Sequence, residues 1–347
     1  MPSLPSTFNR KALCIGIEYR NAKNALPGAH EDCQAVAKVL RDKFGYEVTT
    51  LMDDGKGSSP TRDNILCAIR DLVADAQSGD RIFLHYSGHG GQIENTNGTE
   101  SDGQDEVLIP IDPTITLEQW NSWDPCDDKR VGWRESIIVD DELHKLLKDS
   151  IPQGCHFNAL FDSCNAGTAL DLAYNLRFKE QGVITCACPN CLDLELDREQ
   201  SLSPTETLTY QWPPADFGKC LTSISPMQIT FKDLLTVNER CKDTTVMLTQ
   251  QPPPERDISL WAACRDGTRA WGTRSGGLFV KTFVKILWTC DVSTITLHRL
   301  LCTTDHFLRE KAIKPHMNTL VDDPYDQLQY FQYSSFSRPM LDAPIMI

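Results

Sequence analysis

Two short stretches carry the residues best suited to chemistry. One is "HYSGHGGQ", His85 to Gln92; the other is "DSCNAG", which holds Cys164. A cysteine attacks a carbonyl as its thiolate, and a free thiol has a pKa of about 8.5, so a neighbouring base or imidazolium must supply that form at neutral pH. A histidine followed by glycines offers such an imidazole on a sharp turn. Glycine leaves room there for a substrate backbone and for N–H donors around a developing oxyanion. Two other chemistries do not fit. A phosphatase loop needs Arg six residues after the cysteine, where this chain has Leu170. A zinc-binding helix needs Glu directly after the first histidine, where this chain has Tyr86. On spacing alone the ordinary alternatives stay open: an inert buried thiol and a hydrogen-bonded histidine.

Both stretches follow apolar runs of strand length, "DRIFLHYS" and "CHFNALFD". Upstream, "KALCIGIEY" and "YEVTTLM" read as strands, and "CQAVAKVLRDKFG" and "TRDNILCAIRDLVADA" as helices, the latter with Thr61 as N-cap. Strand alternating with helix predicts a parallel sheet covered by helices, with chemistry at the carboxyl ends of the strands. From Glu94 to Arg134 the chain reads as loop around "EVLIPI". "DDELHKLLKD" is a helix with acids at its start. From about Phe178 to Arg256, prolines and mixed signals read as a connecting region. "ISLWAACRD" then gives a late strand, and "SGGLFVKTFVKILW" and "TLHRLLCTTDHFLREKAI" two helices.

The 347 residues are 40% hydrophobic and 24% charged, enough to bury a full core. A net charge of −14 disfavours nucleic acid or anionic membrane as partner and suits basic substrates or a divalent cation. The longest apolar run is broken by Lys281 and Lys285, so no membrane span is expected. The start carries no export signal, and the fourteen cysteines read as reduced thiols of a cytoplasmic protein.

"HYSGHGGQ" together with "DSCNAG" resembles the signature pair of the metacaspases, caspase-like cysteine peptidases of fungi, plants and protozoa. "KALCIGIEY", "LPGAHEDCQAV", "DEVLIPID", "IIVDDELHKLL" and "ISLWAACRD" with "GGLFVKTFVKIL" extend the likeness, in order, from Lys11 to Trp288. The resemblance implies an α/β caspase-like three-layer sandwich whose mostly parallel central sheet carries helices on both faces. It divides the chain into a large-subunit-like segment (1–175), a divergent linker (176–255) and a small-subunit-like segment (256–347) completing the same domain. The N-terminal extension of many type I members is not expected, and neither is an oligomer.

It further implies Cys164 as nucleophile and His89, not His85, as the catalytic imidazole, with backbone N–H groups of Gly90 and Cys164 at the oxyanion. His85 is then a packed histidine. Asn165-Ala166 stand where the family commonly has His-Ser, and Gly91 where it commonly has Thr. Those departures keep a catalytically silent scaffold as the rival reading.

Metacaspases cut polypeptides after Arg or Lys, and a guanidinium guest calls for carboxylates. The resemblance puts Asp32 and Asp162 in that pocket; the plainer alternative for Asp32 is a helix N-cap. It assigns Asp105, Asp140, Asp141 and Asp171 to an activating Ca2+, although no EF-hand spacing is present. It also makes Arg177, Lys179 and Arg198 candidate self-cleavage sites in an exposed linker. Cys186, Cys188 and Cys191 lack an obvious fourth ligand for zinc.

Overall fold

The structure, a computed structural model, describes residues 8–20, 22, 25–98, 100, 103–111, 134–178, 184–186, 257–265, 270–289, 295–308, 329, 331–337, 339 and 343–347. The amino-terminal half alternates as expected: β1 (Arg10–Gly16), α1 (Ala29–Phe44), β2 (Glu47–Met52), α2 (Arg62–Val73) and β3 (Arg81–Ser87). Thr61 caps α2, its hydroxyl accepting from the Asn64 N–H. There follow β4 (Gly90–Glu94), β5 (Gln104–Leu108), β6 (Ile138–Val139), α3 (Asp140–Ser150) and β7 (His156–Asp162). The remainder comprises β8 (Tyr174–Phe178), β9 (Ile184–Cys186), β10 (Asp257–Ala262), β11 (Gly272–Thr273), β12 (Gly276–Gly277), α4 (Leu278–Thr289), α5 (Leu297–Phe307) and β13 (Gln332–Ser335).

Eight strands form the central sheet in the order β2-β1-β3-β7-β10-β13-β8-β9. The first five run parallel; β13, β8 and β9 are joined by antiparallel pairings. Alternate side chains go to opposite faces, as the pleat requires. Ala12, Cys14, Phe83, Leu160 and Trp261 face one core with α1, α4 and α5. Leu13, Ile15, Ile82, Leu84, Phe157, Ala159 and Leu260 face a second core with α2 and α3. This is the caspase-like α/β sandwich. Strands buried on both faces read as continuous apolar runs, which is why they were visible as strands in sequence.

Two regions differ from expectation. The loop read between Glu94 and Arg134 contains part of a small antiparallel sheet, β4-β5-β6, in which Gly90 pairs Leu108 and Val107 pairs Val139. The region read as a linker from 176 begins as strand, because β8 lies between β13 and β9. Arg177 is therefore paired in register with Gln332 and Thr185 rather than lying in an exposed linker. A peptide bond laddered on both sides is a poor protease substrate. Lys179 and Arg198 lie outside the described residues, as do Cys188 and Cys191; Cys186 lies in β9.

Candidate active site

Neighbouring parallel strands bring the two signature stretches together. In the pairing of β3 with β7, Ser87 stands opposite Asp162. Two residues beyond those partners come His89 and Cys164, at matching positions past the same sheet edge. The Gly88 N–H donates to the Asp162 carbonyl (3.4 Å), tying the two strand ends. His89, Cys164, Asp32 and Asp162 all line one cleft, open to solvent, which the β11–β12 hairpin also lines. Cys164 is partly exposed, and its neighbour Asn165 adopts the left-handed conformation (φ 52°), which asparagine tolerates.

The Gly90 contact explains one of the glycines after His89. A Cβ there would lie 2.2 Å from the Cys164 carbonyl oxygen, so only glycine lets the two backbones meet. His89 is gripped through its backbone. Its N–H donates to the Tyr19 hydroxyl (2.9 Å), and its carbonyl accepts from the Tyr86 hydroxyl (2.8 Å) and the Ile109 N–H (3.1 Å). The Tyr19 ring lies against the His89 imidazole, centroids 4.6 Å apart. Tyr19 itself has φ 51° and is held by Asp53, whose carboxylate accepts the N–H groups of Glu18 and Tyr19 (2.9 Å each) and contacts His30 Nε2 (2.6 Å). His85 is fully buried, with Nδ1 2.8 Å from the Leu160 carbonyl oxygen. Burial pushes its pKa down to about 4, which keeps it neutral and out of acid–base work near pH 7.

Tyr19 was legible only as the last residue of an apolar run, yet it makes a testable contribution. Tyr19→Phe leaves the His89 N–H without its acceptor, a loss of about 1–3 kcal/mol where the group stays buried. With any substrate turned over through His89, kcat should fall about tenfold while KM holds, a split that steady-state kinetics would read. Unchanged kcat would mean that Tyr19 packs against His89 without positioning it.

The acidic end of the cleft is built on the start of α4. Asp32 is not the N-cap of α1; Gly28 holds that place with φ 114°. The Asp32 carboxylate instead accepts from the Ser87 hydroxyl (3.0 Å) and from the Gly277 N–H (2.8 and 2.9 Å to its two oxygens). Burial lifts its pKa to about 7 against those bonds. Asp162 is pushed well above the ordinary carboxylate range, first by burial and then by Asp32, while the Val280 N–H and Lys281 oppose the rise. One of its oxygens is buried without a hydrogen-bond partner. A Cβ on Gly277 would lie 1.8 Å from that oxygen, so the glycine pair before α4 is what admits the carboxylates. Ser87, Gly276, Gly277 and Lys281 carried no chemical signal in sequence, because their relevance depends on the ends of β3 and β7 and the start of α4 meeting at Asp32 and Asp162.

A second acidic group gathers behind Cys164. Carboxylate oxygens of Asp105, Asp140 and Asp141 lie within 4.8 Å of one another, as do those of Glu100, Asp140 and Asp171. The four predicted aspartates thus fall in two groups that share Asp140, and Glu100 joins Asp171 in one of them unpredicted. Asp140 is pushed up to about 8 by burial and then by Asp171. Asp171 is pushed up to about 8 by burial and then by Glu100 and Asp141. Buried Glu106 accepts from Thr168 Oγ1 (2.6 Å), linking β5 to the loop after Cys164.

The caspase domain family profile matches residues 9–344. A protein named Metacaspase-1 from Cryptococcus neoformans var. neoformans serotype D (strain JEC21) is 34% identical over 276 residues, 78% of this chain and 53% of that protein. Proteins of the same name from Schizosaccharomyces pombe and Botryotinia fuckeliana are 39% and 40% identical over 180 and 183 residues, half of this chain and under two fifths of theirs. The chain thus spans about half the length, or less, of these relatives.

Proposed function

The chain belongs to the caspase-domain family, and on that premise we propose that it is a cysteine endopeptidase cutting polypeptides after Arg or Lys. The observation that carries the reading is one cleft lined by His89, Cys164, Asp32 and Asp162. In the proposed reaction the Cys164 thiolate adds to the scissile carbonyl carbon while backbone N–H groups of Gly90 and Cys164 receive the oxyanion. The carbon–nitrogen bond then breaks as His89 gives its proton to the departing amine. His89 next takes a proton from water, which cleaves the thioester and returns the free thiol. Asp32 and Asp162 hold the guanidinium or ammonium of the residue before the cut. The unpartnered Asp162 oxygen is the acceptor such a guest would satisfy.

The acidic group behind Cys164 suits a hard divalent cation, since it offers oxygen donors only, crowded enough to hold protons near neutrality. Asp105, Asp140, Asp141 and Asp171, with Glu100, would hold calcium. Bound there, it would neutralise the mutual repulsion of the acids and brace the loop after Cys164 against β5 and α3. Among the described residues no helix is long and apolar enough to cross a membrane, and the reading needs no partner chain.

The test is hydrolysis of fluorogenic peptides ending in Arg, Lys or Asp, across calcium concentration and pH. Cleavage of the Arg and Lys peptides but not the Asp peptide, rising with calcium, is expected. Because Asp140 and Asp171 titrate near 8, calcium must displace protons, so the half-saturating calcium concentration should fall as pH rises from 6 to 8.5. The same acids bind protons on folding between roughly pH 4 and 8. Without calcium, the thermal midpoint should therefore drop as pH climbs through that window, and calcium should restore it. No cleavage at any calcium level by folded protein would move the reading to a silent scaffold. Midpoints indifferent to both calcium and pH would remove the cation from it.

A further inference from the structure

We propose that Lys281 is a specificity-determining residue of the acidic pocket: its ammonium is a resident cation that offsets one of the two carboxylates, leaving the pocket matched to a single positively charged substrate side chain at neutral pH. This rests on the Arg/Lys reading of the cleft and goes beyond it.

Lys281 lies one turn into α4, where an apolar helix face would ordinarily continue. Its Nζ is drawn back over the pocket wall, donating to Thr273 Oγ1 (2.7 Å) and Ser275 Oγ (2.6 Å) in the β11–β12 hairpin. Its stem passes Gly276, at which an added Cβ would lie 3.5 Å from Lys281 Cε and 2.2 Å from Asp32 Oδ1. The ammonium is thus fixed by two hydroxyls beside the acids rather than left free to snorkel into water. Burial holds its pKa below the ordinary lysine value, and the charged groups around it, Asp32 and Glu31 from α1 and Asp162 from β7, oppose that fall and favour the charged form. The exposed Arg274 stands at the hairpin turn, and His89 and Cys164 line the cleft that the hairpin borders.

Two buried carboxylates sharing a site resist ionising together. Asp32 and Asp162 are both raised, and Lys281 lowers both. With the lysine in place the pair still shares a proton near neutrality, held less tightly because Lys281 opposes the rise of both acids, and an entering guanidinium that expels it leaves two negative charges against two positive ones. Without the lysine that proton is held more tightly, so a cationic guest displaces it only at higher pH. The sign is therefore definite: removing the positive charge moves the acid limb of cation binding to higher pH.

The experiment compares wild type, Lys281→Met, Lys281→Gln and Lys281→Arg at saturating calcium, from pH 6 to 9. The substrates are an Arg-ended peptide and its citrulline-ended counterpart, alike in shape but uncharged. Wild type should prefer the Arg peptide. In K281M and K281Q the KM profile for the Arg peptide should move up by about one pH unit, giving a KM about tenfold higher at pH 7 that converges on wild type near pH 9. The effect should fall on KM far more than on kcat. K281R should restore the wild-type profile, and the citrulline peptide should show no such shift. K281Q can still donate to Thr273 and Ser275, so a wild-type profile in K281Q with impairment only in K281M would reduce Lys281 to an anchor of the hairpin and overturn the proposal. A change in KM that is equal at every pH would overturn it too. If wild type itself cleaves the two peptides equally well, the Arg/Lys reading falls and takes this inference with it, a result visible without any variant.

Discussion

Replacing Cys164 by alanine should lower kcat for Arg-peptide hydrolysis by on the order of 10⁴-fold, with thermal stability unchanged. The asymmetry between those two outcomes follows from position. Cys164 is partly exposed in the cleft, whereas Cys14, Cys33, Cys155 and Cys264 are buried among strands and helices. Removing its sulfur empties no core, so folding energy is barely touched. The thiol is the only protein group in the proposed reaction that bonds to the substrate carbon, so no other side chain in the cleft can take its place. His89 without the thiol could still activate water, which sets the residual rate. Activity within about tenfold of wild type would place the nucleophile elsewhere. An Arg-directed, thiol-reactive probe should label wild type and fail on this variant.

Gly90→Ala should cost about 100-fold in kcat and destabilise the fold by about 1–3 kcal/mol, although it adds one methyl group outside any side chain that reacts. The new Cβ would sit 2.2 Å from the Cys164 carbonyl oxygen and 3.1 Å from Ser163 Cβ and Oγ. Neither side can yield cheaply. The Gly90 backbone is fixed by His89, with its three hydrogen bonds, and by the pairing of β4 with β5. The Cys164 turn is fixed by the left-handed Asn165 and by Cys264, whose thiol donates to the Ser163 carbonyl (3.2 Å). The strain must separate His89 from Cys164, and displacement near 1 Å is enough to lose two orders of magnitude. Gly57→Ala is the control, since a Cβ there meets nothing within 4 Å. Full activity in Gly90→Ala would show that the two strand ends can part without harm.

The Asn165-Ala166 departure acquires a physical reading from the same geometry. Position 165 needs a residue that accepts positive φ, and asparagine does; Ala166 is fully buried. The backbone that displays Cys164 is thus compatible with the residues present, which weakens the structural argument for a silent relative.

What the chain determined locally were the elements whose signals are short-range. β1, β3, β7 and β10 are apolar on both faces and sit mid-sheet, so their burial was written into continuous runs of Ile, Leu, Phe and Ala. α2 announced itself through Thr61, and the two signature stretches could be found because nucleophile, imidazole and glycines each fall within a few residues. The small sheet β4-β5-β6 and the outer strands β13, β8 and β9 were not legible. They are short, and they exist only because distant segments supply their partners.

The site divides in the same way. His89, Cys164 and the aspartates were nameable from sequence because their side chains carry the chemistry. Tyr19, Glu100, Gly277 and Lys281 were not, because what they do is set by what lies opposite. Tyr19 matters through the His89 N–H, seventy residues away, and Lys281 through Asp32 and Asp162, which reach it only when α1, β7 and α4 share one sheet edge. Residue type decides which reactions are available; tertiary structure decides which charges meet, because electrostatic and steric terms act over a few ångströms of space and are blind to separation along the chain.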